Sequence, residues 1–464
     1  MSEPVARASF SELFIWAASR RQIFNIALQA LGLASSFVVL GALSVHQFGL
    51  YQLILAAVAI AGAFTSGLFD DVVTNEIGQS LAEGRPESAK RLFRQFFIVK
   101  IFLALAVAAI LFFGADLVAR YYDRDIAGYI RLASVLAFIG PLRAAESLFF
   151  RSVRSFVAFG VETLQEVIRM AALGAFWFWG SLDLTGVLAA GVIAALCALA
   201  YTSFFFIREY RRRFGAISAE SGQPLVGIVR GYGRWVFLRY GATRALKGSD
   251  VWIVRVFLST EAVAFYALAI NLIAFVQSVI PTNILGILLP WEIQNPERRG
   301  RIYRRMVKYG VFFGAAVGAG ASIAVPLLIG LLFPKYMPAM PVFLYMLITL
   351  PFFAVYKFQK SFLIALREQK VLALRRISEE LLSIAVLALF LPLFGLYAAV
   401  IAYVVLYGWR VTFFTLYLNR HHPDLRAPLS EIFSFNEDDR LLLSRIIREF
   451  LRPGQWAKRI LLKS

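Results

Sequence analysis

The chain has 464 residues, of which 59% are hydrophobic and 17% charged, and a formal net charge of +19. Soluble domains are roughly 45–50% apolar and about 25% charged, so this composition excludes a string of soluble domains and indicates an integral membrane protein. A single cysteine, Cys197, excludes a disulfide framework and a four-thiolate metal site. In a polytopic chain the basic excess is read first as loop lysines and arginines on the cytoplasmic side, not as a nucleic-acid surface.

Apolar windows of about 20 residues fall near 21–41, 48–70, 95–115, 129–150, 160–180 and 185–206. A second set falls near 232–258, 263–290, 309–332, 339–363, 375–393 and 395–416. The expectation is an all-α polytopic protein of about 12 transmembrane helices. The first window is not a cleaved signal peptide, because Arg20 and Arg21 lead into a long run containing Asn25 and Gln29 with no small-residue cleavage site.

With the N-terminus inside, the inner loops carry Arg85, Lys90, Arg91 and Arg94, then Arg151 and Arg154, then Arg208 and Arg211 to Arg213. Arg298 to Lys308 and Arg367 to Arg376 follow on the same side, whereas the outer loops hold little beyond Arg120, Arg124 and Lys335. This alternation places both termini in the cytoplasm. The seventh window is rich in charge, yet omitting it would turn the cluster Arg298 to Lys308 outward against the same rule.

Leu43-Ser44 followed by Gly49-Leu50-Tyr51-Gln52-Leu53 recurs as Leu258-Ser259 followed by Ala264-Phe265-Tyr266-Ala267-Leu268, an offset of 215 residues. An offset of six spans implies two parallel six-helix lobes around a central cavity, over 1–215 and 216–418. Residues 419–464 form a cytoplasmic tail in which Asp438 to Leu451 reads as a basic amphipathic helix on the inner leaflet. Gly310, Gly314 and Gly318 read as close helix packing on the ninth span.

The outer loops are short, which disfavours an outward catalytic domain. His46, His421 and His422 lack metal-site spacing, and no phosphate-cradling P-loop is present. The chain is therefore read as a transporter with no catalytic residues, metal or cofactor.

The informative charges lie inside spans, where an ionisable side chain costs about 2.5–3.5 kcal/mol and so seeks water, a counter-charge or a ligand. The seventh window holds Arg239, Arg244, Lys247, Asp250 and Arg255 on roughly half of its helical circumference. Arg143 and Glu146 lie one turn apart on the fourth span, and Glu162, Gln165, Glu166 and Arg169 form a stripe on the fifth. The cations Arg239, Arg244, Lys247, Arg255, Arg143 and Arg169 suit the phosphate of an amphiphilic substrate. Asp70, Asp71, Glu146, Glu162, Glu166 and Asp250 are candidates for ion coupling or gating. Lys247 with Asp250, and Arg169 with Glu162 or Glu166, read equally as structural ion pairs.

Three stretches carry a family resemblance: Leu43-Ser44 to Phe48-Gly49-Leu50-Tyr51, Ser66-Gly67-Leu68-Phe69-Asp70, and the basic helix start from Gly84 to Arg94. They resemble the opening of polysaccharide-unit flippases of the multidrug/oligosaccharidyl-lipid/polysaccharide exporter superfamily. Leu332-Phe333-Pro334-Lys335-Tyr336, with Ala339, resembles a later element of that family, with Pro334 where glycine is usual. The resemblance implies translocation of a polyprenyl-(pyro)phosphate-linked oligosaccharide across a bacterial inner membrane, coupled to a proton or sodium gradient. It further implies membrane lipids and glycan polymerase or ligase machinery as partners. An O-antigen, capsule or exopolysaccharide unit is expected ahead of the cell-wall precursor, whose flippases have two further helices. The alternative is a cation-coupled multidrug exporter of the same fold.

Overall fold

The computed structural model describes residues 28–63, 65, 70–121, 126–153, 160–215, 217, 248–280, 296–366, 368–428, 430–431 and 434. Among these there is no strand, and nine helical segments are long and apolar enough to cross a membrane. This is the economical solution in lipid, because a helix satisfies its own main-chain polar groups.

The chain opens with α1 (Leu28–Ala42), α2 (Val45–Ala63), α3 (Asp70–Ala82) and α4 (Pro86–Tyr121). It continues through α5 (Ile126–Ser152), α6 (Val161–Phe178) and α7 (Leu184–Phe214). The second half begins with α8 (Ser249–Phe257), α9 (Thr260–Ser278) and α10 (Pro296–Leu332). A 3-10 segment (Pro334–Ala339) leads into α11 (Met340–Met346) and, through a second 3-10 turn, α12 (Leu350–Ala365). α13 (Gln369–Phe394) and α14 (Tyr397–His421) complete the described helices.

α4 has 36 residues and α10 has 37. At about 1.5 Å per residue both are far longer than a hydrocarbon layer of about 30 Å. Each starts with proline at its first position, and in α4 Glu87 follows it, favourable at a helix N-terminus. Their first turns are polar and basic, so the helix emerges from the membrane at that end. The second expected span is shorter than its apolar window: α2 stops at Ala63, and Asp70 begins a separate 13-residue helix. The tenth is broken, with prolines at the starts of the 3-10 segment, α11 and α12.

α6 is a complete 18-residue helix, yet it is absent from the nine apolar spans because it carries Glu162, Glu166 and Arg169. Of the charged seventh window, α8 supplies Asp250 and Arg255, while Arg239, Arg244 and Lys247 lie outside the described residues. The expected tail helix over Asp438 to Leu451 and the side chain of Asp71 also lie outside them.

One pair of helices keeps the offset of the repeated residues. α2 and α9 both have 19 residues, and both begin and end at the offset of 215. Ser44 and Ser259 cap them: Ser44 Oγ accepts from Gln47 N at 3.2 Å, and Ser259 Oγ accepts from Ala262 N at 3.2 Å. In the first half Gln47 Oε1 also accepts from Ser44 N at 3.1 Å, completing a reciprocal box.

The described chain forms two compact units, one of 1–275, 322–347 and 373–406, the other of 276–321, 348–372 and 407–464. In the first, α3, α4, α5 and α7 enclose a core around Phe93, Phe149, Phe150 and Phe214. The rings of Phe93 and Phe149 are 5.1 Å apart, a spacing worth about 0.5–1.5 kcal/mol beyond burial. In the second, an added Cβ on Gly310 would overlap the Phe358 ring, and one on Gly314 would lie 2.8 Å from Leu350 O. The small-residue stripe is therefore the close packing of α10 on α12.

Candidate functional site

The polar side chains of the first half gather on α2, α5, α6 and α7. On α6, residues 162, 166 and 169 share one helical face. Arg169 Nη1 donates to Glu166 Oε1 at 3.1 Å, and Nη2 donates to the Tyr51 hydroxyl of α2 at 3.0 Å. The guanidinium is thus held across two helices and loses little freedom when it meets a ligand. Arg143, on α5, donates through Nη1 to Gln165 Oε1 of α6. Glu146, one turn further on, is buried and accepts from Ser203 Oγ of α7 at 2.6 Å, while its second oxygen has no hydrogen-bond partner among the described residues. Glu162 is exposed and lies within electrostatic range of Arg143.

Arg143, Glu146, Gln165, Glu166 and Arg169 are thus on neighbouring helices. Two partners were not legible in the sequence. Tyr51 was visible as part of the repeat, not as an arginine ligand, and Ser203 sits in an apolar run without a periodic signal.

Asp70 lies elsewhere. Its carboxylate is 2.7 Å from Lys100 Nζ of α4, and the same ammonium donates to Thr65 O at 2.5 Å. Lys100 is 3% exposed and also lies over the Phe96 ring at 5.1 Å. The lysine joins the end of α2 to the start of α3, which explains why an apolar window ends in a buried acid. Lys100 itself sits inside the third apolar window, where an isolated lysine was the only available clue.

In the second half, Asp250 Oδ2 accepts from the Tyr266 hydroxyl at 2.7 Å, and Arg255 Nη1 donates to Leu258 O at 3.3 Å. Arg375 and Glu379 form a buried pair on α13, so Arg375 is a helix-interior residue and not only a loop marker. Within the other unit, Arg410 stacks 4.2 Å from the Tyr407 centroid and 5.2 Å from that of Tyr356. Lys357 lies 5.2 Å over Phe353. Among the described residues no cluster of histidine, cysteine and carboxylate side chains is suited to a metal ion.

This arrangement of long apolar helices with charges among them is that of a polytopic membrane protein. Its fold is similar to a solved lipid II flippase MurJ in an inward closed conformation, with a TM-score of 0.70 and 12% identity over 93% of this chain and 99% of that one. It is also similar to an inward-facing multidrug resistance MATE family transporter of the MOP superfamily, with a TM-score of 0.68, 14% identity and coverage of 84% and 95%. A point mutant of the Vibrio cholerae MATE transporter VcmN aligns at a TM-score of 0.57 and 13% identity over 89% and 98%. No curated protein matches significantly.

The class is therefore a multi-pass membrane protein with the fold of the MOP superfamily, as the sequence resemblance implied. The family described as "Polysaccharide biosynthesis protein" matches residues 23–294, more than half of the chain, and the chain belongs to that family.

Proposed function

We propose that this protein translocates a polyprenyl-(pyro)phosphate-linked oligosaccharide across a bacterial inner membrane for O-antigen, capsule or exopolysaccharide synthesis. The observation that carries the reading is the pair of intramembrane arginines, Arg143 and Arg169, fixed on α5 and α6 of a chain from the polysaccharide biosynthesis family. Guanidinium groups match phosphate oxygens in geometry and remain charged throughout a transport cycle. Arg239, Arg244, Lys247 and Arg255 complete the proposed cationic surface, in two six-helix lobes over 1–215 and 216–418. Glu146, Glu162, Glu166, Asp70, Asp71 and Asp250 are proposed for coupling to a proton or sodium gradient, with antiport as the mode. Glu146 has the strongest local argument, since its carboxylate is buried within electrostatic range of the proposed substrate-binding Arg143. Both termini are proposed to be cytoplasmic, with the glycan polymerase or ligase acting on the product outside.

The test is translocation of defined lipids by the purified protein in vesicles. Arg169→Ala and Arg143→Ala are each expected to lower translocation of a pyrophosphate-linked oligosaccharide at least about tenfold, the equivalent of about 1.4 kcal/mol, while the protein still inserts. Wild-type rates in both variants would remove these arginines from the site. Translocation of lipid II alone would redirect the substrate, and ethidium efflux without lipid movement would establish the small-molecule exporter instead.

A further inference from the structure

The offset between the repeats equals the sequence separation of one tertiary contact. His46 Nδ1 and Glu261 Oε1 are 2.8 Å apart, and these residues are 215 positions apart. They occupy the same place, the second residue, of the equivalent helices α2 and α9. Side chains at equivalent repeat positions meet only where the pseudo-twofold axis passes between them. The main chains meet there too: an added Cβ on Gly49 would overlap Thr260 O and approach Thr260 Cγ2 to 2.9 Å. The repeat-mate of Gly49 is Ala264, so the small residue is required on one side of the crossing only.

Further contacts close the same end of this unit. Lys335 Nζ donates to Leu43 O at 2.6 Å and Gly41 O at 3.1 Å, and the Tyr336 hydroxyl donates to Leu43 O at 3.3 Å. Phe48 and Tyr336 meet edge to face at 5.6 Å.

We infer that the crossing of α2 and α9 is the gate at this end of the transporter, and that His46 and Glu261 are its proton-sensitive latch on the repeat axis. This rests on the transport reading above, whose topology places the end in question outside. Both side chains are solvated, at 45% and 46% exposure, so the latch can exchange protons with the adjoining solution. A neutral imidazole makes an ordinary hydrogen bond with a carboxylate, and an imidazolium makes a charge-assisted one. Facing His46 from α9 is Glu261. On α8, Arg255 donates to Leu258 O and Asp250 is held by Tyr266. Lys335 is on main-chain carbonyls, and Arg131 of α5 pairs with Asp116 of α4 at 2.5 Å. Carboxylate, lysine and arginine side chains as types keep their charge between about pH 5.5 and 8, whereas histidine does not. Acid therefore tightens the latch, and the opening of this end requires parting two helices that touch at Gly49.

The experiment places spin labels at Ala42→Cys and Phe257→Cys, themselves repeat-mates, on a Cys197→Ser background in lipid nanodiscs. Distance distributions are recorded at about pH 5.5 and 8, a range chosen to span histidine titration. The ratio of short to long distances is expected to rise about two- to fivefold on acidification, the scale of a solvated ion pair. Glu261→Gln and His46→Gln are expected to abolish that response, and Gly49→Leu to deplete the short population at both pH values. Gly49→Ala is the milder wedge should the leucine variant fail to insert. A response that survives in Glu261→Gln, or is absent from the parent, overturns the latch; a short population unmoved by either wedge overturns the gate. The labels report without substrate, so a pH-responsive distance without lipid movement counts against the transport reading alone. Lipid movement with unresponsive distances counts against the latch alone.

Discussion

Tyr51 and Tyr266 stand at the same position of two helices of equal length, yet the first hydroxyl accepts from Arg169 at 3.0 Å and the second donates to Asp250 at 2.7 Å. The duplicated frame has kept the phenol and reversed the charge it serves. The reversal is possible because the partner comes from another helix each time, α6 in the first half and α8 in the second. A hydroxyl both donates and accepts, so it accommodates either change without alteration of the repeat itself. The long helices diverge in the same way. Aligned on Pro86 and Pro296, Lys100 of α4 corresponds to Gly310 of α10. One half stabilises that level with a buried ammonium on Asp70, the other with a bare backbone against Phe358.

The most disruptive way to test that difference is Lys100→Ala. It removes the ammonium 2.7 Å from the buried Asp70 carboxylate, and breaking one side of a buried pair costs about 3–5 kcal/mol. Thermal unfolding in detergent is expected to fall sharply, with Lys100→Ala/Asp70→Asn recovering part of the loss. At the equivalent level of α10, Gly310→Ala is expected to cost about 1–3 kcal/mol through overpacking on Phe358. If both substitutions were equally mild, the two halves would not rely on different physics here.

The paired tyrosines give a smaller effect with a sharper reading. Tyr51→Phe and Tyr266→Phe should each lose about 0.6–1.7 kcal/mol, the range for side-chain hydrogen bonds between transmembrane helices. Without an ion gradient only Tyr51→Phe is expected to slow lipid translocation, because that phenol orients a proposed substrate-binding arginine whereas Tyr266 holds Asp250, proposed for coupling. Equal slowing in both would show that the halves share the work symmetrically.

The smallest effect belongs to the turn between α3 and α4. Hydrogen bonds from Gln79 and then Arg85 hold the Glu83 carboxyl below its ordinary value of 4.5. A lowered value in the folded state means a contribution present above the ordinary value and lost as pH falls through the lowered one. Glu83→Gln is therefore expected to converge with the parent in thermal stability well below about pH 4.5 and to be the less stable of the two near neutral pH. Glu83 is fully solvated, so the difference there is small.

Most of the frame was legible in the sequence. Apolar runs mark helices because lipid forbids unpaired main-chain groups, and basic runs mark the loops between them. The repeat was legible from a handful of residues, and its offset holds at both ends of α2 and α9. α6 shows the limit of reading by hydropathy alone, for its three charges remove it from the apolar spans although it is a complete helix. The stripe of Glu162, Gln165, Glu166 and Arg169 was readable because helical periodicity puts those residues on one face.

Sequence by itself determined that this chain lives in a membrane, that it carries a short repeat at an offset of 215 residues, and which charges are expensive enough to need an explanation. Tertiary structure decided which partner each charge has: Tyr51 for Arg169, Lys100 for Asp70, Ser203 for Glu146, Glu261 for His46. Periodicity reports the face on which a side chain lies, but a hydrogen bond about 3 Å long depends on which helix stands opposite and at what height. That information is created only when the helices pack.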